Sequence, residues 1–477
     1  MNKFIAWLIL LIGLGCAINF SSCKKPLSFS KENLTFSQDT VVFDTIFSTI
    51  ASVTKRFKIY NPSKRTLQIS QVELVGGANS PFRINFDGVA GTNFADIEIN
   101  GNDSLFVFVE VTLDQNNTNN PLIFEDRVRF QSNGKDQFVE LVAWGQDAYF
   151  HYSYISQGIF DLNTGIWPND KPHVIYGGAF IDSAESLTIQ AGTDIFLHNN
   201  AFLFNYKGTL NIEGTLGNEV TLQGDRLEAS YADTPGQYYG IYMVEAKPSS
   251  INYAIIKNAT SAIQINGADQ NNPPTTPTLA VSNTIISNSA SYGIFLYNGD
   301  LDFNLAGTIK AENCILSKNG VHSLIMLGGG GVNFNHCHLL GYGTGENVSA
   351  AVGLSNHYGA TGLVRGISEA TFTNNVIYGN LDIELAIDTI PNVAITLNFN
   401  FENNLIKSSP IFTSSIFNPS SNKWNMDPAF TNIEENDYHF SSSSPLRDAG
   451  NSLYPTSNLV DIEGDSQLIP DIGAYEF

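Results

Sequence analysis

Six segments of the chain repeat one pattern of apolar and polar positions. They begin at Ile251, Val281, Ala311, Phe334, Phe372 and Phe401, 23 to 38 residues apart. Two residues later stand Tyr253, Asn283, Asn313, His336, Asn374 and Asn403, and two further on stand Ile255, Ile285, Ile315, His338, Val376 and Leu405. Apolar residues two apart share one face of a strand. Self-similarity of this period predicts stacked coils, each covering the next.

The polar column at the second position needs a physical reason. Asparagine fills four of its six places, and an unpaired amide in a core is costly. Stacked amides can hydrogen-bond to one another along the stack, so we expect an asparagine ladder. Neighbouring coils should lie about 4.8 Å apart, and nine or ten of them are expected.

This pattern resembles the right-handed parallel β-helix of pectate-lyase-like proteins, over about residues 159–425. Corner glycines in "LTIQAGTDIFLHNNAFLFNYKGTLNIEGTLGNEV" from Leu187 are similar to the first coils of that fold. The alternative is a β-sandwich with accidental periodicity. The expected fold class is all-β: an N-terminal β-sandwich, then a right-handed single-stranded parallel β-helix over residues 149–425, with a C-terminal cap.

Residues 37–148 read as short alternating strands separated by turn signals. Examples are "RFKIY" from Arg56, "LQISQVEL" from Leu67 and "FRINF" from Phe82. About seven such strands suit an antiparallel sandwich. The segment resembles the immunoglobulin-like modules that precede cell-surface β-helices, which implies a spacer or a binding module.

Residues 426–477 resemble the closing module at the C-terminus of bacterial surface β-helices. An open end would pair with other chains, so a cap is expected. Asp427, Asp448, Asp461 and Asp471 recur there. Loop carboxylates suit a bound Ca²⁺, or they accept hydrogen bonds from nearby backbone amides in turns. No other cofactor is predicted.

The first 22 residues have the pattern of an export signal. Lys3 precedes the apolar run Phe4 to Leu14, which is short for a membrane span. The stretch "FSSCKK" resembles the cleavage box of bacterial lipoproteins of the Bacteroidota type. That resemblance implies diacylation of Cys23, followed by a lipidated tether over residues 23–36. Cys16 is a second candidate for the acylated residue, and an ordinary signal peptide is the alternative.

The formal net charge is −22. It argues against nucleic acid and against charge-driven binding to anionic lipid. Acyl chains would instead attach the protein to a bilayer. We therefore expect an exported, membrane-anchored lipoprotein, at the outer membrane on its surface or periplasmic face.

Catalytic motifs are sparse. Lyases of this fold need a basic residue, and residues 251–410 hold five: Lys257, Lys310, Lys318, Arg365 and Lys407. Lys310 and Arg365 are the catalytic candidates if they share a groove. The Asp-Asp pair and Arg-Ile-Lys of polygalacturonase-like hydrolases do not occur.

Three further features have two interpretations each. His336 and His338 lie two apart and could bind a metal, or they take part in the ladder. Cys314 and Cys337 share one column on neighbouring coils, so they form a disulfide or remain two buried thiols. A loose Asp-Ser/Thr pattern resembles the O-glycosylation sites of exported Bacteroidota proteins; it occurs at Thr40, Thr45, Ser104, Ser183 and Thr389.

Three functions fit these features. The first is a non-catalytic, lipid-anchored module whose β-helix flank binds a polysaccharide or an envelope protein. The second is a polysaccharide lyase or glycoside hydrolase with unfamiliar residues. The third is a purely structural role in the envelope.

Overall fold

The computed structural model describes residues 29–47, 52–113, 122–272, 275–300, 302, 304–343, 348–391 and 394–477. The chain divides into two compact units, one up to Asp147 and one from Ala148 onward. Both are built of strands, as the alternation of apolar and polar residues predicts.

The first unit contains two five-stranded sheets that enclose one apolar core. In spatial order, one sheet consists of Thr35–Phe36, Lys55–Tyr60, Ser104–Val111, Phe82–Phe86 and Val89–Gly91, and the other of Thr40–Phe47, Lys135–Gln146, Leu122–Ser132, Leu67–Leu74 and Asn93–Ile99. A 3₁₀ turn spans Gly77–Asn79. The predicted β-sandwich is confirmed. One strand pair, Thr40–Phe47 with Lys135–Gln146, is parallel rather than antiparallel.

The second unit is a coil of parallel strands that form three sheets. The long sheet has eleven strands: Tyr149–Tyr152, His173–Tyr176, Asp194–Leu197, Val220–Gly224, Ala254–Lys257, Ile285–Ser287, Ile315–Ser317, His338–Gly341, Val376–Gly379, Leu405–Ile406 and Lys423–Trp424. The second sheet has nine: Asp161–Leu162, Gly178–Ile181, Phe202–Tyr206, Gly240–Val244, Ser261–Asn266, Tyr292–Tyr297, His322–Leu327, Val352–Ser355 and Leu385–Asp388.

The third sheet also has nine strands: Gly165–Trp167, Ser186–Gln190, Thr209–Glu213, Ser249–Asn252, Leu279–Ser282, Thr308–Glu312, Gly330–Asn335, Ile367–Thr373 and Leu397–Glu402. Each coil passes through the long, second and third sheets in turn. Two hairpins lie outside the stack, His357–Tyr358 with Leu363–Val364 and Phe430–Asn432 with Asp437–Phe440. Short 3₁₀ turns span Ile155–Gln157, Ala229–Tyr231 and Ser415–Phe417.

The register of the predicted columns is confirmed. Ile251, Val281, Ala311, Phe334, Phe372 and Phe401 pair in succession on the third sheet. Their side chains are buried inside the coil. Phe334, Phe372 and Phe401 form a stack with ring centroids 5.7 and 4.9 Å apart.

The asparagine column lies at the corner between the third and long sheets. Asn283, Asn313, Asn374 and Asn403 have φ between 49° and 57°, a left-handed conformation that asparagine tolerates better than most residues. The amide of Asn313 also donates to Asn283 Oδ1 over 3.2 Å. Backbone conformation, as well as the ladder, therefore selects asparagine here.

A second, fully buried ladder runs one residue later, inside the core. Asn404 Oδ1 accepts from the backbone N–H of Asn375 (2.9 Å) and from its amide (3.0 Å). The amide of Asn404 donates to Phe372 O (2.8 Å) and to Asn422 Oδ1 (2.9 Å). This ladder was not predicted from the sequence, because Ala254, Thr284, Cys314 and Cys337 fill the same column in earlier coils.

Aromatic rings close both ends of the core. At the first coil, Trp167 stacks against both His151 and His173, with ring centroids 4.3 and 4.4 Å away. At the last coil, Phe417 is buried against Phe401 and Phe412. The loop before residue 426 therefore covers the C-terminal end of the core.

Residues 426–477 lie on the outer face of the long sheet. Tyr438, Leu446 and Ile472 form an apolar cluster with Ile315 and Val376 of that sheet. This explains why the outer column of the long sheet is apolar although it faces away from the coil interior.

Candidate functional site

An aromatic stripe covers the outer face of the second sheet. Its members are Phe160, Phe180, Phe202, Phe204, Tyr239, Tyr242, Tyr292, Phe295 and Tyr297. Paired positions run from Leu162 through Phe180, Phe204, Tyr242 and Gln264 to Phe295. Six strands at about 4.8 Å make a stripe about 24 Å long, parallel to the coil axis.

The rings of the stripe touch one another along the first coils. Centroids of Phe160 and Phe180 are 5.0 Å apart, and those of Phe180 and Phe204 are 5.6 Å apart. Together with Ile155, Phe202, Tyr239 and Tyr242 they line an apolar groove of about 330 Å³. Phe160 is 49% exposed and Tyr239 is 41% exposed. A contiguous exposed apolar surface of this kind commonly marks a site that binds a partner or a ligand.

Polar groups interrupt the stripe at one coil. Gln264 takes the place of an aromatic ring, and its amide donates to Asn266 Oδ1 over 2.9 Å. Burial raises the pKa of the Tyr242 and Tyr297 hydroxyls, so both remain protonated donors at neutral pH. The stripe therefore offers flat apolar faces beside hydroxyl and amide groups.

This stripe was not predicted from the sequence. In "FLFNY" from Phe202, alternation puts the three aromatic rings on one face of the strand, and their hydrophobicity favours the face inside the coil. The structure instead buries Leu203 and Asn205 and turns Phe202, Phe204 and Tyr206 outward. The signal in the sequence was the recurrence of aromatic pairs at the same strand, as in "YYGIY" and "YGIFLY".

The two catalytic candidates lie apart. Lys310 projects from the middle of Thr308–Glu312 on the third sheet and is exposed. Arg365 lies at the corner before that sheet, where its guanidinium donates to Asp300 O over 2.9 Å and its Cβ packs against Gly329. The register places Lys310 beside Asn333, four residues beyond Gly329, so the structure does not bring these two side chains together.

His336 and His338 attach the C-terminal segment to the coil. His336 Nδ1 lies 3.3 Å from Gly473 O, and its Nε2 accepts from the Asn374 amide over 2.9 Å. His338 Nδ1 accepts the backbone N–H of Ala474 over 3.2 Å. Burial lowers the pKa of His336 to about 4 and that of His338 to about 3, so both are neutral at pH 7. Each histidine therefore has a structural role here.

Cys314 and Cys337 are free, buried thiols in the structure. Cys314 Sγ donates to Glu312 O and Cys337 Sγ to Asn335 O, each over 3.2 Å. Burial raises the pKa of Cys337. Of the two states that the sequence left open, the structure has the thiol pair rather than the disulfide.

Three of the four predicted aspartates of the C-terminal module, Asp427, Asp461 and Asp471, accept hydrogen bonds from backbone N–H groups. Asp461 Oδ1 accepts from the backbone N–H groups of Glu463 and Asp465 over 2.9 and 2.8 Å. Asp471 Oδ2 accepts from Phe477 N over 2.8 Å. Among the residues described, no three His, Cys, Asp or Glu side chains are grouped to hold a metal ion. Calcium binding stays an untested prediction.

The remaining predicted sites concern modification. Cys23 lies outside the described residues, as do the export signal and the side chain of Thr45. Ser183 is exposed, whereas Thr40, Ser104 and Thr389 are half-buried. None of the helices in the described ranges has the length and apolar character needed to cross a bilayer.

The comparison with known families agrees with this geometry. Residues 163–339 match the family model described as the right-handed β-helix region. The second unit is a right-handed parallel β-helix. No curated protein sequence matches the chain.

Solved structures give distant likenesses. One is the catalytic unit of a GH87 α-1,3-glucanase from Streptomyces thermodiastaticus, with 9% identity over 73% of this chain and 75% of that one, and a TM-score of 0.21. Another is a family 123 glycoside hydrolase from Clostridium perfringens, with 7% identity over 25% of this chain and a TM-score of 0.18. The match covers 30% of the length of that hydrolase. A human ASH/PapD-like domain matches at 11% identity over 27% of this chain and 91% of that domain, with a TM-score of 0.17.

Proposed function

We propose that this β-helix protein is an exported, lipid-anchored protein of the cell envelope that binds a polysaccharide along its aromatic stripe without cleaving it. The observation that carries the proposal is the linear array of rings on the second sheet. A linear array with a regular spacing fits a linear polymer whose units repeat along the same axis. A compact protein partner would instead favour a rounded patch with a polar rim.

The chemistry of the stripe supports a sugar ligand. A pyranose ring has apolar C–H faces that stack on Phe and Tyr rings, and hydroxyls at its edge. Tyr242, Tyr297 and Gln264 supply hydrogen-bonding groups beside the rings. Aromatic residues with a polar end are suited to surfaces that are partly apolar and partly wet.

The position in the cell rests on the N-terminal sequence. Acylated Cys23 would insert in the outer membrane, and burial of its acyl chains would hold the protein there. The sandwich would act as an immunoglobulin-like spacer between the tether and the β-helix. The net charge of −22 makes nucleic acid an unsuitable ligand.

A binding screen with the chain from residue 24 onward tests this proposal. We expect affinity electrophoresis to show retardation by at least one neutral or acidic polysaccharide. Replacing two stripe rings, Phe204→Ala with Tyr242→Ala, should weaken retention about tenfold, because each aromatic contact contributes about 0.5–1.5 kcal/mol. Phe138→Ala, a 37% exposed ring of the sandwich, is the matched control and should bind as the wild type.

The same samples distinguish the alternatives. Reducing ends or unsaturated products would show a lyase or hydrolase and overturn the non-catalytic reading. Retention that is unchanged in the double variant would exclude the stripe as the binding surface. Capture of an envelope protein through Phe204 and Tyr242, with no glycan bound, would replace the polysaccharide with a protein ligand.

A further inference from the structure

A second concave surface lies at the corner between the long and second sheets. It is a groove of about 390 Å³, within the size range of ligand pockets. We call it the corner groove, and its floor consists of Lys257, Asn258, Ser287, Asn288, Lys318 and Tyr342. It is separate from the aromatic stripe, and none of its residues belongs to that surface.

The coil geometry builds this floor. Asn258, Asn288 and Lys318 occupy equivalent corner positions on three successive coils, with φ of 66°, 57° and 51°. The Asn288 amide donates to Asn258 Oδ1 over 2.7 Å, and the Asn258 amide donates to Ala232 O over 2.9 Å. The amides are therefore held in place before any ligand arrives.

The C-terminal module forms the opposite wall. Lys318 Nζ donates to Glu434 O over 2.7 Å, which ties the floor to that wall. Tyr342 is buried at the inner end and stacks parallel to Tyr438, with ring centroids 6.3 Å apart. The groove thus depends on residues far apart in sequence, and no sequence motif predicts it.

The charges of the groove are balanced. Lys257 and Lys318 are half-buried on the floor, whereas Asp233 and Glu434 are exposed at the rim. Two of the five basic residues in the range 251–410 therefore meet in one groove. Because two acidic residues offset them in a protein with net charge −22, the groove does not attract anions at long range.

We propose that the corner groove binds an uncharged, hydroxyl-rich ligand, a neutral saccharide of one or two units. Lysine ammonium groups donate, amides both donate and accept, and rim carboxylates accept, which together match hydroxyl groups. Tyr342 and Ile433 supply the apolar part of the lining. A site built for hydroxyls discriminates strongly, since a missing hydroxyl leaves its partners unpaired.

Titration calorimetry of the chain from residue 24 onward with maltose, cellobiose and lactose tests this inference. We expect at least one of them to bind with a Kd of about 1 mM or less. Lys257→Met should raise that Kd by about tenfold or more, because it removes a charged hydrogen-bond donor. Lys310→Met removes an exposed lysine outside the groove and should leave the Kd unchanged.

Several other outcomes would contradict the proposal that the corner groove binds a neutral saccharide. No heat from any of the three sugars at ~10 mM would overturn the proposal. Equal affinities of Lys257→Met, Lys318→Met and wild type would place the sugar elsewhere, as would a loss of affinity in the Phe204→Ala, Tyr242→Ala double variant. Tighter binding of galacturonate than of every neutral sugar would overturn the neutral class. Since the stripe variants keep the groove intact, failure of one site is distinguishable from failure of the other.

Discussion

Replacing Asn404 by alanine tests the buried ladder most directly. Its carboxamide is fully buried and makes four hydrogen bonds, two to Asn375, one to Phe372 O and one to Asn422. The backbone N–H of Asn375 has the Asn404 oxygen as its acceptor. Asn404→Ala leaves that N–H buried without a partner.

The magnitude follows from counting these bonds. An orphaned buried donor costs about 1–3 kcal/mol, and each of the other three bonds contributes about 0.5–1.5 kcal/mol net. We therefore expect Asn404→Ala to lower the free energy of unfolding of the β-helix by about 2.5–7.5 kcal/mol. The matched control is Cys314→Ala, in the same column but without a carboxamide. It should cost about 1 kcal/mol, since it removes one small buried group.

Differential scanning calorimetry is the suitable assay, because two compact units need not unfold in one step. The sandwich transition is an internal reference that neither substitution should move. We expect the β-helix transition to fall by about 5–10 °C in Asn404→Ala and by about 2 °C or less in Cys314→Ala. Equal shifts in the two variants would refute the reasoning that the amide ladder stabilises the core.

Two further predictions concern buried groups. Burial raises the pKa of Glu384 to about 7 and that of Glu476 to about 8. The folded chain therefore holds protons that the unfolded chain loses above the ordinary glutamate pKa of 4.5. Stability should fall as pH rises from about 6.5 to 8, where the histidines no longer oppose this effect. Burial lowers the pKa of His336 to about 4 from 6.5, so stability should also fall as pH drops from about 6.5 to 4. A melting temperature that climbs steadily from pH 5 to 8 would contradict this, and Glu384→Gln should flatten the alkaline side. Gly379→Ala would press a Cβ against Glu384 Oε1 and should destabilise the β-helix by about 1–3 kcal/mol. Gly359→Ala meets nothing within 4 Å and should melt as the wild type. Equal melting temperatures of the two variants would show that Gly379 is not crowded.

His336 and His338 show why candidate sites were harder to predict than the fold. A spacing such as that of His336 and His338 suggests a shared face. In the structure His336 is at a left-handed corner and His338 is in a strand, and each contacts the C-terminal segment more than 130 residues away in sequence. Local spacing cannot reveal a partner that folding brings from so far.

The sequence by itself determined the coil and its register. Each coil must present matching apolar residues to the next, so the column from Ile251 to Phe401 is visible as a periodic pattern. Corners that need a left-handed backbone select asparagine, as at Asn283 and Asn313, and leave a second periodic mark. Both constraints act between residues at fixed positions in every repeat, which is why a single chain displays them.

Tertiary structure decided which surfaces are free. Alternation shows that Phe204 and Leu203 point opposite ways, but only the closed coil shows that the phenylalanine faces outward. Likewise, the outer face of the long sheet is covered because residues 426–477 fold back onto it. The corner groove exists because that same segment brings Glu434 to Lys318. These features depend on contacts between distant parts of the chain, and such contacts leave no period in the sequence.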